Sequence, residues 1–198
     1  LNQLWIEFIK YRIIYDFEYW AYSFIFIKDK VSPKDIPFKL NRAQRRVLNK
    51  LEKLRKAGKP IKFILLKARQ WGGSTLVQIY MLWIMLVHRR NWNTVICGDV
   101  ETQSRNVRAM ITKALNKYPS YLLGETVKFT PFEGSSKNKV IQNTNCVVSI
   151  GSFQKPDTLR SGDISGAHLT EIGLWRATPG KKPEDLIQSI SGSIYDTA

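Results

Sequence analysis

Between Ile61 and His88 the chain passes from a short apolar run, through a loop of small and cationic residues, into a longer apolar run. The first run, Ile61-Lys62-Phe63-Ile64-Leu65-Leu66, reads as a buried strand, because a short apolar block bounded by turn signals suits a strand covered on both faces. The loop is Lys67-Ala68-Arg69-Gln70-Trp71-Gly72-Gly73-Ser74-Thr75. The second run, Leu76 to His88, is long enough for a helix. Strand, loop, helix is the setting a phosphate-binding loop requires. Cradling phosphates depends mainly on backbone amides and a helix N-terminus, and Gly72-Gly73 supplies an unhindered backbone. The usual pattern is Gly-x-x-x-x-Gly-Lys-Ser/Thr. Aligned on Gly72, this sequence places Gly73 where the lysine stands, Ser74 at the metal-binding hydroxyl and Lys67 at the first glycine. The cation need only reach the phosphates as a point charge. Lys67, at the head of the loop, folds back across it to do so, and Arg69 is a second candidate.

The remaining pattern extends this unit into a domain. Trp5, Phe8, Tyr11, Tyr15, Tyr19, Tyr22 and Phe26 recur at steps of three and four, which predicts one aromatic helix face over residues 1 to about 30. That face serves packing or docks a partner subunit. Val31 to Leu40 holds Pro33 and Pro37 and reads as a connector. Asn41 caps a helix to about Lys56, and Gly58-Lys59-Pro60 ends it. Thr94 to Cys97 is a second buried strand, and Glu101 to Lys117 a helix with Val107, Ile111, Ala114 and Leu115 on one side. From Thr126 to Ile150 come short strand-like pieces, Val127 to Phe129, Val140-Ile141 and Cys146 to Ile150. They are separated by turns at Gly134-Ser135-Ser136 and Asn143-Thr144-Asn145. Ala167-His168-Leu169 is a short strand, Glu184 to Ile190 a helix and Ser193-Ile194-Tyr195 a final strand. Strands alternating with helices predict an α/β fold whose mostly parallel sheet is covered on both faces. The chain divides into an aromatic-rich helical segment with its linker over 1–37 and the α/β domain over 38–198.

Composition limits the function classes. Hydrophobic residues at 43% and charged residues at 24% are those of a globular domain, which excludes a disordered or fibrous chain. Thirty-one Lys and Arg against sixteen Asp and Glu leave +15, which favours a polyanionic partner, because neutralising phosphates releases condensed counterions. Arg89, Arg90, Arg105, Arg108, Lys137 and Lys139 are available for DNA. The two cysteines, Cys97 and Cys146, lie in apolar runs without a metal-ligand spacing, so a structural zinc site is excluded and buried free thiols are expected. Tyr19 to Ile27 is too short to cross a bilayer and is flanked by Asp16, Glu18, Lys28 and Asp29.

Two further groups point to nucleotide chemistry. Gln44 precedes the first apolar run, and its amide has the donor and acceptor that match an adenine edge. Downstream, the strand Ala167-His168-Leu169 runs into Thr170-Glu171. An apolar strand ending in an acid is the Walker B arrangement, in which the last carboxylate orients and activates the attacking water. Thr170 occupies the usual aspartate position and is placed to hold a metal-bound water. The competing readings are another nucleic-acid motor of helicase type, a degenerate phosphate-loop module that binds DNA without turnover, and an unrelated α/β domain.

Together these pieces resemble the large terminase subunits of tailed phages. The resemblance is carried by Leu40-Asn41-Arg42-Ala43-Gln44, by Lys67 to Thr75 with its Arg69-Gln70 pair, and by His168-Leu169-Thr170-Glu171-Ile172-Gly173-Leu174-Trp175. Leu159-Arg160-Ser161-Gly162 resembles the Arg-Gly element that precedes Walker B in that family, and Tyr195-Asp196-Thr197-Ala198 its coupling motif. The resemblance implies an ASCE-type P-loop ATPase fold over residues 38 to 198. It implies ATP and Mg²⁺ as ligands, with Gln44 at the adenine, Lys67, Gln70 and the amides of Gly72 to Thr75 around the phosphates, and Ser74 on the metal. Glu171 is the implied water-activating base, Arg69 or Arg160 the charge-stabilising cation and Thr197 the coupling residue. The implied setting is a homo-oligomeric ring on a portal, working with a small terminase subunit to drive double-stranded DNA into a procapsid in the cytoplasm of an infected host. A nuclease domain is expected beyond residue 198.

Overall fold

In a computed structural model, residues 3–29, 31–66, 71–122, 124–156 and 163–194 are described. The helices are α1 (Gln3–Tyr15), α2 (Phe17–Phe24), α3 (Arg42–Lys56), α4 (Gly73–Trp83), α5 (Glu101–Asn116) and α6 (Pro183–Ser193). A two-stranded hairpin joins β1 (Phe26–Lys28), at the end of the stretch expected to be an aromatic helix, to β2 (Asp35–Pro37), within the expected connector. The main sheet holds β3 (Asn93–Gly98), β4 (Phe129–Phe132), β5 (Ser135–Ile141), β6 (Cys146–Ser152) and β7 (Gly166–Leu169) in the order β4-β5-β6-β3-β7.

The sheet is mixed and not mostly parallel. β3 pairs in parallel with β6 and β7, while β4–β5 and β5–β6 are antiparallel. The cause is turn chemistry. Glu133 and Gly134 both take positive φ, 48° and 74°, between paired Phe132 and Ser135. A two-residue turn of that kind matches strand twist and closes a hairpin.

β3 shows how the layers form. Its side chains alternate, as a strand requires: Ile96 joins a large core with α2, α3, α4 and α5, whereas Val95 and Cys97 join a smaller one with Phe153, Ile164, Trp175 and α6. The Trp175 ring stacks on Phe153 at 5.1 Å between centroids. Both cysteines are fully buried, and burial pushes the Cys97 thiol up to about 12. The buried thiols expected from the sequence are thus present.

The N-terminal aromatic segment is two helices and not one. Asp16 interrupts it and accepts from the Tyr19 backbone N–H at 2.9 Å, capping α2. α1 buries no residue, while α2 buries Phe17, Trp20, Ala21 and Phe24, and the Trp20 indole donates to the Tyr118 hydroxyl. The hairpin is held to α5 by Asp35, whose carboxylate meets Lys113 and Lys117.

α4 is almost wholly buried, and its last turn widens into a π-turn over Ile84–His88, with the Arg89 N–H donating to the Ile84 carbonyl. Beside it, the Tyr80 hydroxyl donates to Glu52 at 2.7 Å and Arg55 pairs with the same carboxylate. Burial raises the Glu52 pKa, but the hydrogen bonds from Arg55 and Tyr80 and the charges of Arg55 and Lys56 together hold it below the usual carboxylate value.

Two expected strands are absent. Ile61 to Leu66 has no regular structure and is largely exposed, with Ile64 98% and Leu66 100% accessible. The apolar run measured what a strand there would gain from cover, but among the described residues no strand lies beside it. At the C-terminal end, Ser193 belongs to α6 and Ile194 closes the helix, so the proposed strand at 193–195 is not formed by those two residues; Tyr195 lies outside the described residues. The Pro183 start and the acids Glu184 and Asp185 in the first turn favour the longer helix.

Candidate functional site

The site is built from the first turn of α3, the start of α4 and the end of β7. Asn41 and Gln44 form a reciprocal cap on α3. The Gln44 N–H donates to Asn41 Oδ1, and the Asn41 N–H donates to Gln44 Oε1, both at 2.9 Å. The same two side chains reach across to the loop. Asn41 Nδ2 donates to the Trp71 carbonyl at 3.0 Å, and Gln44 Nε2 donates to the Gly72 carbonyl at 2.9 Å. Gln44 is therefore buried with both ends of its amide engaged, and an adenine would meet it only by replacing one of those partners.

Gly72 takes φ 84°, the left-handed region, and a Cβ there would lie 2.7 Å from Gln44 Nε2. Both facts demand glycine. The turn it makes opens α4 with no side-chain cap among the described residues, at the amides of Gly73, Ser74 and Thr75. Such an end accepts anions, through the free N–H groups and the helix dipole. Gly73 is buried, and Ser74 and Thr75 are half-buried.

β7 carries the second half. It lies at the sheet edge, paired only with β3 among the described residues, and the Thr170 N–H donates to the Cys97 carbonyl just past its end. Thr170 is buried, and Glu171 is exposed. Glu171 adopts φ 56°, ψ 37°, a left-handed conformation that is strained for a residue with a side chain and that gathers at functional positions. It turns the chain into a short 3₁₀ turn over Ile172–Leu174.

The two halves meet through fully buried Gln78 of α4, whose side-chain Nε2 contacts His168 Nδ1 in β7. This contact is about 6 Å along the helix from Ser74. It is about 10 Å along the chain from Glu171. The contact ties the middle of α4 to β7, and beside the residues named from the sequence stand Asn41, read there only as a helix cap, Gln78, and His168, read there only as part of the strand. The Asn-x-x-Gln spacing of a capping box was a readable signal for Asn41; the Gln78–His168 contact, 90 residues apart, left none. Lys67, Arg69, Gln70, Arg160 and Thr197 lie outside the described residues.

Of the cations named for DNA, Arg108 is committed elsewhere. It is buried and donates to the Lys137 and Ser136 carbonyls, clipping β5 to α5. Arg105 and Lys137 both meet Glu101. Among the described residues no group of acids, histidines and cysteines forms a metal cluster. None of the described helices is long and apolar enough to cross a membrane.

No family model matches the chain, and no curated protein matches it. Among solved structures it is similar to the large terminase of bacteriophage HK97, with a TM-score of 0.69 and 21% identity over 94% of this chain and 36% of that one. The fold is terminase-like, and the chain spans about a third of that protein's length.

Proposed function

We propose that this chain is the ATP-hydrolysing domain of a terminase-type motor that drives double-stranded DNA into a procapsid, built as a P-loop ATPase of the ASCE class over residues 38–198. The observation that carries this reading is the strained Glu171 at the end of β7, tied through His168 and Gln78 to the helix whose uncapped amides suit an anion. Similarity of fold to a phage large terminase supports the same reading.

ATP is the substrate. The amides of Gly73 to Thr75 hold its phosphates, with Lys67 as the cation across the loop and Gln70 beside it. Gln44 takes the adenine edge by exchanging its bond to Gly72. The half-buried Ser74 hydroxyl and Thr170, through a water, suit Mg²⁺, which when bound neutralises charge on the phosphates. Glu171 orients the attacking water and accepts its proton. Arg69 or Arg160 stabilises the charge that develops in the transition state, and Thr197 couples hydrolysis to movement. The partners are duplex DNA, a portal, a small terminase subunit and further copies of the chain in a ring, in the cytoplasm of an infected host and transiently on the procapsid.

ATP hydrolysis in Lys67→Ala and Glu171→Gln tests the assignment. Loss of a general base costs about 10²–10⁴ in rate. Turnover within a few fold of the parent chain in both variants would overturn it.

A further inference from the structure

α3 presents a second feature that none of these roles uses. At 3.6 residues per turn, Arg42, Arg45, Arg46, Lys50, Lys53 and Lys56 fall within an arc of about 140° on one side of the helix. All six are exposed, and the opposite side buries Gln44, Val47, Leu48 and Leu51. The helix has one acid, Glu52, which is turned toward Arg55 and Tyr80. At the rim, Arg45 pairs with Glu18, and Lys56 lies 4.0 Å from Glu52. Among the described residues no carboxylate meets Arg42, Arg46, Lys50 or Lys53.

A face that serves only solubility interleaves both signs. Here Arg42 and Arg46, and Arg46 and Lys50, are like charges at four-residue spacing, which repel. The row therefore works against its own helix unless a polyanion meets it. A basic amphipathic helix can also lie on lipid or in a partner's groove, but it does so through its apolar face. That face is already buried in the core, which leaves only the cationic one. Arg42 to Lys53 spans about 16 Å of rigid helix, suited to a row of anions more than to a single one. Duplex DNA supplies one charge per about 1.7 Å of its axis.

We propose that the outer face of α3 is a docking surface for the phosphate backbone of duplex DNA, contacted by Arg42, Arg46, Lys50 and Lys53. The choice of DNA rests on the packaging-motor reading. These contacts carry no base information, so the surface binds without sequence preference.

Affinity for a short mixed-sequence duplex, followed by fluorescence anisotropy from about 50 to 200 mM salt, tests the surface. In the full chain, Arg42→Gln/Arg46→Gln/Lys50→Gln/Lys53→Gln should flatten the log–log salt slope by about 0.9 for each lost phosphate contact, roughly 3 to 4 in all. Binding at the lowest salt should weaken by about tenfold or more, and Arg42→Lys/Arg46→Lys should keep the parent slope. If the fourfold variant loses its circular dichroism signature, Lys50→Gln/Lys53→Gln should still give about half the change. An unchanged slope in a folded variant overturns the proposal. So does a variant that loses polyglutamate but not DNA, which would assign the face to an acidic protein. DNA-free ATP turnover keeps the two readings apart. Turnover with an unchanged slope removes only the docking surface; a flattened slope in a chain without turnover removes only the motor.

Discussion

Two apolar runs flank the Gly72 turn and meet opposite fates. Downstream, α4 sinks Leu76, Ile79, Leu82 and Trp83 to zero exposure. Upstream, Ile64 and Leu66 are almost fully accessible. Hydrophobicity does not separate them; neighbours do. α4 lies within the large core beside α2, α3 and α5, and Phe17 and Tyr80 surround the Trp83 ring. The upstream hexapeptide follows the last turn of α3 and has no strand beside it among the described residues. An apolar run states what burial would yield, and the topology decides whether burial is on offer.

Substitutions sharpen the contrast. Trp83→Ala removes a fully buried ring whose indole N–H also donates to the Ile13 carbonyl at 2.8 Å. Urea denaturation should show a loss of about 3–5 kcal/mol. A loss under about 1 kcal/mol would mean that α4 is not the centre of the core.

Acid probes the same helix at its far end. Burial, with help from the nearby Arg55 and Arg89 charges, depresses His88 to about 4, and its buried Nε2 has no hydrogen-bond partner among the described residues. A depressed histidine gives stability that is complete above the unfolded value of 6.5 and lost as pH falls toward 4. The slope can reach about 1.4 kcal/mol per pH unit. Thermal midpoints measured from pH 7 to 4 should fall in the parent chain and fall less in His88→Phe. Parallel curves would remove His88 as the cause.

The smallest effect belongs to the upstream run. Ile64→Ser and Leu66→Ser should each change stability by no more than about 0.5 kcal/mol, as exposed positions do. A loss of 2 kcal/mol or more by the same urea titration would show that the hexapeptide is covered in solution and that the contrast with α4 is false.

What the sequence made legible was local. Asn41 and Gly58 bracket α3 because capping and left-handed termination are written in single residues. β3, α5 and β7 likewise follow from apolar spacing. The antiparallel half was less legible: the turn expected at Gly134-Ser135-Ser136 falls at Glu133-Gly134, with Ser135 and Ser136 already in β5, the turn at Asn145 was readable, and strand order is set by distant partners. The break at Asp16 was readable as a capping aspartate, yet the aromatic spacing runs through it unchanged. For the site, the turn at Gly72 and the acid at Glu171 were visible as chemistry. The engagement of the Gln44 amide with Gly72 was not, because one side chain can serve a cap, a loop or a base and only geometry says which.

The depth of Cys97 and Cys146 has a practical consequence. Neither sulfur is presented to solvent in the folded chain, and Cys97 resists forming the thiolate that alkylating reagents attack. A maleimide dye would therefore spare both and react with a cysteine introduced on the surface, so the native background is already silent for labelling. Once the chain opens, the same two thiols become the first new targets and time the event.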